Sequence, residues 1–381
     1  MGKPHYFKTS LIFSMLILLI ISCSLQSLNS DNSYVAMFRG NPARTGAYAG
    51  KGPKELKELV WKFKTDSGIW SSPAVMDGVV YFGSGDKYLY AVDIKTGQEK
   101  WKFETGHAVA SSPAVVNGVV YFGSGDSCLY ALDVKTGQEK WKFEAGYSVW
   151  SSPAVVDGVV YFGSGVGNFG SGDGLFYAVN SKTGQEIWKF EPGGAVQLSS
   201  PAVVDGVVYF GSFDNSLYAV NAMTGQEKWR FNTGDWVDTS PAVVDGVVYF
   251  GSYDGFLYAV DVKTGQEKWM FWTGSFVRSS PAVVDGVVYF GSLDNFLYAV
   301  EAKTGQEKWK FETGYSVTSS PAVVDGVVYF GSYDGFLYAV DCKTGQEMWK
   351  FKTGSTLDSS PAVVDGVVYF GSFDDYLYAM K

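Results

Sequence analysis

Residues 240–274 read SPAVVDGVVYFGSYDGFLYAVDVKTGQEKWMFWTG, and this stretch decides the fold. Pro241-Ala-Val-Val is a short apolar run, and Asp245-Gly246 is the strongest two-residue hairpin signal. Val247-Val-Tyr-Phe-Gly-Ser follows as a second strand. Leu257-Tyr-Ala-Val-Asp makes a third, Lys263-Thr-Gly-Gln a second turn, and Lys268-Trp-Met-Phe a fourth strand. β-Branched and aromatic residues dominate, and glycine interrupts every window that could be a helix. The stretch predicts four short antiparallel strands.

The same pattern recurs with its proline at Pro73, Pro113, Pro153, Pro201, Pro241, Pro281, Pro321 and Pro361. Successive spacings are 40 residues, except 48 between Pro153 and Pro201. A period near 40 with four strands per repeat predicts an all-β, eight-bladed β-propeller of four-stranded antiparallel blades. The fourth strands carry Trp61, Trp101, Trp141, Trp188, Trp229, Trp269, Trp309 and Trp349. The last repeat stops one strand short, at Tyr378-Ala-Met-Lys381, and Val60-Trp61-Lys-Phe63 precedes the first Pro-Ala-Val. The N-terminal strand is therefore expected to complete the last blade, leaving no open gap in the ring.

Composition bounds the function. A net charge of −9 with no basic cluster argues against nucleic acid as a partner. Of two histidines, His5 lies in the leader and only His107 remains, so a His-based metal cluster or a Ser-His-Asp triad is hard to build. Lys3 and Lys8 precede an apolar run from Leu11 to Ile21, and Ser22-Cys23 follow. A basic start and an apolar core too short to span a bilayer predict a secretory signal. Polar residues from Ser24 to about Ser33 read as a tether. Cys128 opens one strand, and Cys342 follows the end of an equivalent strand five blades away, so both are expected to be unpaired. The expected organisation is a signal peptide over 1–22, a tether and lead-in over 23–55, and the propeller over 56–381.

Ile20-Ile21-Ser22-Cys23 resembles a bacterial lipobox, which implies lipidation of Cys23. Ser24 follows, with no Asp in that place, and by analogy this favours an outer membrane. Ala91, Asp93, Thr96, Gly97 and Trp101 form an Ala-x-Asp-x-x-Thr-Gly-x-x-x-Trp motif, repeated at Ala131 to Trp141, Ala259 to Trp269 and Ala339 to Trp349. This resembles the tryptophan-docking motif of the pyrroloquinoline-quinone (PQQ) propeller family over residues 56–381. The resemblance implies that the eight tryptophans wedge between neighbouring blades and take no ligand, while Asp and Thr brace the turn. Asn180 and Asn221 replace the Asp in blades three and four, and Glu301 in blade six. Met37-Phe-Arg-Gly-Asn-Pro-Ala-Arg-Thr-Gly46 resembles the lead-in that many such propellers carry.

Where the repeats disagree, residues are free of the shared geometry. Variation gathers in the link before each Ser-Pro and in the Gly-Ser-x-Asp turn between second and third strands. Strand direction alternates through a blade, so both loop sets are expected on one end of the ring, opposite the near-constant Asp-Gly and Lys-Thr-Gly-Gln turns. The links offer Trp70, His107, Trp150, Trp236, Asp238, Phe276, Arg278, Tyr315 and Asp358; the turns offer Phe213, Tyr253, Leu293, Tyr333 and Phe373. Blades one and two have Gly85 and Gly125 instead, and blade three carries an eight-residue insertion within 165–172. Trp, Tyr and Arg are typical of binding hot spots. The Asp before each third strand, from Asp86 to Asp374, is expected to brace its turn.

Three functions compete on one fold. The first is a PQQ-dependent dehydrogenase, but the vicinal cysteine pair and calcium ligands of those enzymes have no counterpart here. The second is a non-catalytic, monomeric lipoprotein scaffold without cofactor or metal, held at the outer membrane or cell surface. It resembles the BamB-type component of outer-membrane barrel assembly, with a membrane protein as partner. The third is a surface receptor in which Trp150, Trp236 and Tyr253 stack on a glycan or small ligand.

Overall fold

The computed structural model describes residues 35–165 and 174–381, with Gly2 ahead of them. The leader, Cys23 and the tether, and residues 166–173 of the blade-three insertion, lie outside the described residues.

Blade five shows how the sequence becomes structure. Its strands are Ala242–Val244, Val247–Gly251, Phe256–Asp261 and Glu267–Trp272, paired antiparallel in chain order. Asp245 and Gly246 both take positive φ, 49° and 76°, which gives a two-residue turn the twist that the flanking strands need. Between the third and fourth strands the register slips by one residue at Lys268, a bulge that sharpens the twist. Seven further sheets repeat this plan, and one of them gains Val35–Ala36 on its inner edge. As the sequence predicts, Leu59–Lys64 pairs with Tyr376–Met380 and completes the eighth blade.

The core lies between blades rather than within one. Phe250 and Tyr258 stack at 5.4 Å, and Phe231 of the preceding blade meets them edge-on at 6.0 and 5.3 Å. The closing seam is packed alike, with Phe63 at 5.9 Å from Phe82 and 5.3 Å from Tyr90. Each docking indole donates Nε1–H to a carbonyl beyond its own blade: Trp61 to Ile94, Trp101 to Val134, Trp141 to Ser181 and Trp188 to Ala222. Trp229 reaches Val262, Trp269 reaches Ala302 and Trp309 reaches Cys342. Burying an indole of roughly 200 Å² is worth about 5 kcal/mol gross. Trp349 faces a blade with no turn between its last two strands, and there Pro53 of the lead-in supplies the carbonyl, at 2.9 Å. Cys128 and Cys342 are both free thiols.

A hydrogen-bonded hoop runs around the axis. Ser72 N–H donates to Ser112 Oγ, and the same bond passes through Ser152, Ser200, Ser240, Ser280, Ser320 and Ser360 back to Ser72. Inside the hoop sits the lead-in. The carbonyls of Pro42, Ala43, Thr45 and Gly46 accept from Val203, Val243, Val283 and Val323, one on each of four successive inner strands. These N–H groups face the channel and have no strand beside them, so the lead-in satisfies them.

Candidate functional site

The two variable loop sets are hydrogen-bonded to each other, which places them at one end of the ring. Tyr253 N–H donates to Trp236 O, Leu293 to Phe276 O, Tyr333 to Ser316 O and Phe373 to Thr356 O. A fixed frame lies beneath. Asp254 accepts from Phe256 N–H, from the Tyr258 hydroxyl at 2.7 Å and from Gly234 N–H at 2.8 Å. Asp86, Asp126, Asp214, Asp294, Asp334 and Asp374 likewise join a tyrosine of their own blade to the preceding link. The acidic repeat is thus a brace that holds variable residues on rigid supports.

On that frame Phe213, Trp236, Tyr253 and Phe276 form a continuous ladder of rings. Centroids are 4.5 Å apart for Phe213–Trp236, 5.6 Å for Trp236–Tyr253 and 4.9 Å for Tyr253–Phe276. Trp70 meets Phe373 edge-on at 5.4 Å, and His107 meets Trp150 at 5.9 Å. Gly125 has a local reason: a Cβ there would lie 2.5 Å from both His107 Nδ1 and Trp150 Cη2. The rings of the links fill the room that the glycine turn leaves.

The mouth of the channel lies within this face. A cavity of about 120 Å³ is framed by the serine hoop, walled by Trp70, Trp150, Leu198, Asp238, Arg278, Thr318 and Asp358, and floored by Phe38. Asp238 is only 6% exposed. Its Oδ2 accepts from the Tyr253 hydroxyl at 3.3 Å and lies 3.8 Å from Arg278 Nε, while Oδ1 has no partner. Burial pushes this carboxyl up to about 6, although Arg278 pulls the other way. Burial also works against the Arg278 charge, but Asp238, Tyr253 and Asp358 together hold it above its ordinary value. Tyr333 is raised by burial and by Asp358. The cluster carries two carboxylates and one guanidinium, a surface suited to polar and cationic groups as well as to rings.

The sequence-predicted residues therefore fall into linked groups. Trp70, Trp150, Asp238, Arg278 and Asp358 share the mouth, and Phe213, Trp236, Tyr253 and Phe276 form the ladder. His107 and Phe373 attach through ring partners, and Tyr333 through Asp358. Tyr315 stands apart, 59% exposed. Two residues escaped the sequence reading. Leu198 lines the mouth and is 40% exposed; Trp272 ends the outer strand of blade five and is 65% exposed. Trp272 stands where other blades hold Glu104, Glu144 or Glu312, so repeat alignment carried the signal.

A quinone cofactor fits this mouth poorly. PQQ is a tricarboxylate, and the one guanidinium in the cavity wall is ion-paired to Asp238 beside a second acid, Asp358. Among the described residues, no three His, Cys, Asp or Glu side chains gather as a metal site.

A family profile described as outer membrane protein assembly factor BamB matches residues 55–213, 144–270 and 171–381. No curated protein matches the chain. Among solved structures it is similar to BamB from Moraxella catarrhalis, at 19% identity and TM-score 0.70, over 85% of this chain and 99% of that one. A europium-containing methanol dehydrogenase aligns at 17% identity and TM-score 0.78, over 91% of this chain and 98% of that one. The computationally designed Ika8 protein aligns at 21% identity and TM-score 0.75, over 85% and 99%. At such identities the likeness is one of fold.

Proposed function

The chain belongs to the PQQ-repeat family of the outer membrane protein assembly factor BamB, and from that premise we propose that it is a non-catalytic, exported lipoprotein scaffold. In this reading Cys23 carries the lipid, and the variable end of the ring binds a membrane protein, a barrel-assembly component being the first candidate. One observation carries the reading: variation among near-identical repeats is gathered at one end, as a ring ladder beside the Asp238–Arg278 cluster. Rigid aromatic anchors beside a partly desolvated ion pair are what protein interfaces use as hot spots. The acidic mouth and its poor match to a tricarboxylate favour a scaffold over a quinone-dependent dehydrogenase. The exposed rings also suit a sugar, as a receptor would use them.

The test is co-purification of the tagged lipoprotein from native, detergent-solubilised membranes. A companion sample has Trp150, Trp236, Arg278 and Tyr333 replaced by Ala. The scaffold reading expects an integral barrel protein with the parent and its loss from the variant. If nothing specific accompanies either sample, and a panel of sugars gives a saturable change in tryptophan fluorescence, the receptor reading takes its place.

A further inference from the structure

The wall of the channel mouth is one repeat position seen eight times. Two residues before its serine in the hoop, every blade places one side chain in the cavity wall. Blades one to four supply Trp70, Ala110, Trp150 and Leu198, all apolar. Blades five to eight supply Asp238, Arg278, Thr318 and Asp358, all polar. The hoop passes from each blade to the next in chain order, so an apolar arc faces a polar arc across the axis. Ring closure asks the same of all eight positions and cannot explain this division.

The mouth is a blind socket. Phe38 closes it from below and is itself held by Arg44, whose Nη1 donates to Phe38 O at 2.7 Å and whose guanidinium lies 5.5 Å from the ring centroid. Its volume of about 120 Å³ is well under the roughly 300–1,000 Å³ of sites that take cofactors or drug-sized ligands. One short chain fills it. Charge selects a cation. Two carboxyls and one guanidinium line the polar arc, and Arg278 Nε lies 3.8 Å from Asp238 Oδ2, so the wall has one more acid than base. Asp238 is 6% exposed, and its Oδ1 has no hydrogen-bond partner. A buried carboxylate oxygen left unpaired is costly, and a charged N–H donor relieves that cost.

We propose that the mouth is a socket for a primary alkylammonium, its stem against the Trp70–Leu198 arc and its head facing Asp238 and Asp358. The socket rests on the geometry of the mouth alone. That its occupant is a lysine side chain of the partner protein rests on the scaffold reading.

Calorimetric titration of the full chain tests the socket without any partner, at pH 8, where Asp238 is ionised. The probes are pentylamine, methylamine and 1-pentanol at constant ionic strength. The expected result is saturable binding of pentylamine, about tenfold or more tighter than methylamine because its stem buries apolar surface, and none of pentanol. Asp238→Asn combined with Asp358→Asn should weaken pentylamine binding about tenfold or more. No saturable binding of pentylamine, or equal binding of methylamine or pentanol, overturns the proposal. Should the double variant fail to fold, the three probes on the parent decide alone. Co-purification with the folded double variant tests the occupant. Loss of the captured protein supports the partner's lysine; capture at the parent's level overturns that assignment and leaves a free amine. If the parent captures nothing yet binds pentylamine, the scaffold reading fails and the socket stands.

Discussion

The two ends of this ring are joined by the same strands yet carry loops of opposite character. At one end Asp-Gly and Lys-Thr-Gly-Gln turns recur almost unchanged, because each is tied to seam geometry. Asp261 accepts from Lys263 N–H, Thr264 N–H and Thr264 Oγ1–H, and the carbonyl beside it, Val262 O, receives the indole of Trp229. At the other end the backbone is equally fixed by Asp254 and its equivalents, but the side chains above it are free to differ. Repetition thus marks what builds the ring, and the proposed binding face is where the repeats diverge. In such a molecule a substitution at the seams should cost stability, and one at the variable end should cost binding.

The largest expected effect is at a seam. Trp309→Ala removes an indole wedged between blades six and seven and should cost about 3–5 kcal/mol in denaturant unfolding. A loss under 1 kcal/mol would break the division between the two ends. Next comes the axial hoop: Ser280→Ala leaves the buried Ser240 N–H without its acceptor, an expected cost of about 1–3 kcal/mol.

Asp238 joins the two kinds of duty. Its folded-state carboxyl is raised from 3.8 to about 6, so the folded state binds the proton more tightly than the unfolded chain. That contribution to stability is full below about 4 and is lost as pH rises through 6. Relative to the parent, Asp238→Asn should therefore gain stability between pH 4 and pH 7, measured by urea midpoints across that range. A difference independent of pH would mean that the carboxyl titrates normally. The smallest effect belongs to Phe276→Ser and Tyr315→Ser, whose rings are 43% and 59% exposed. Tyr315→Ser should stay within about 0.5 kcal/mol of the parent, and Phe276→Ser, which also gives up its stack on Tyr253, within about 1.5 kcal/mol, while each weakens partner capture.

Much of this was legible from residues alone, because the repeats serve as their own alignment. Asp245-Gly246, the recurrent Trp strand and the missing last strand together determine the blades, their number and the closure at Leu59–Lys64. The variable end was legible too, since alternating strand direction assigns each loop to a side. The lead-in was not. Met37 to Gly46 has no repeat partner to compare, and nothing local says that its carbonyls would meet four inner strands. Nothing in that segment signals that Arg39 and Arg44 are buried, at 2% and 0% exposure, once the ring encloses them. The pairing of Asp238 with Arg278 was equally hidden, since 40 residues separate them and only adjacent blades bring them together.

Site-specific photocrosslinking in the native envelope tests the central claim most directly. A photoreactive residue is placed in turn at Phe276 or Tyr315 on the variable end, and at Lys263 or Lys303 in the constant turns. The account predicts a discrete crosslinked membrane protein from the first pair and none from the second. A specific crosslink from Lys263 or Lys303, with none from Phe276 or Tyr315, would contradict it.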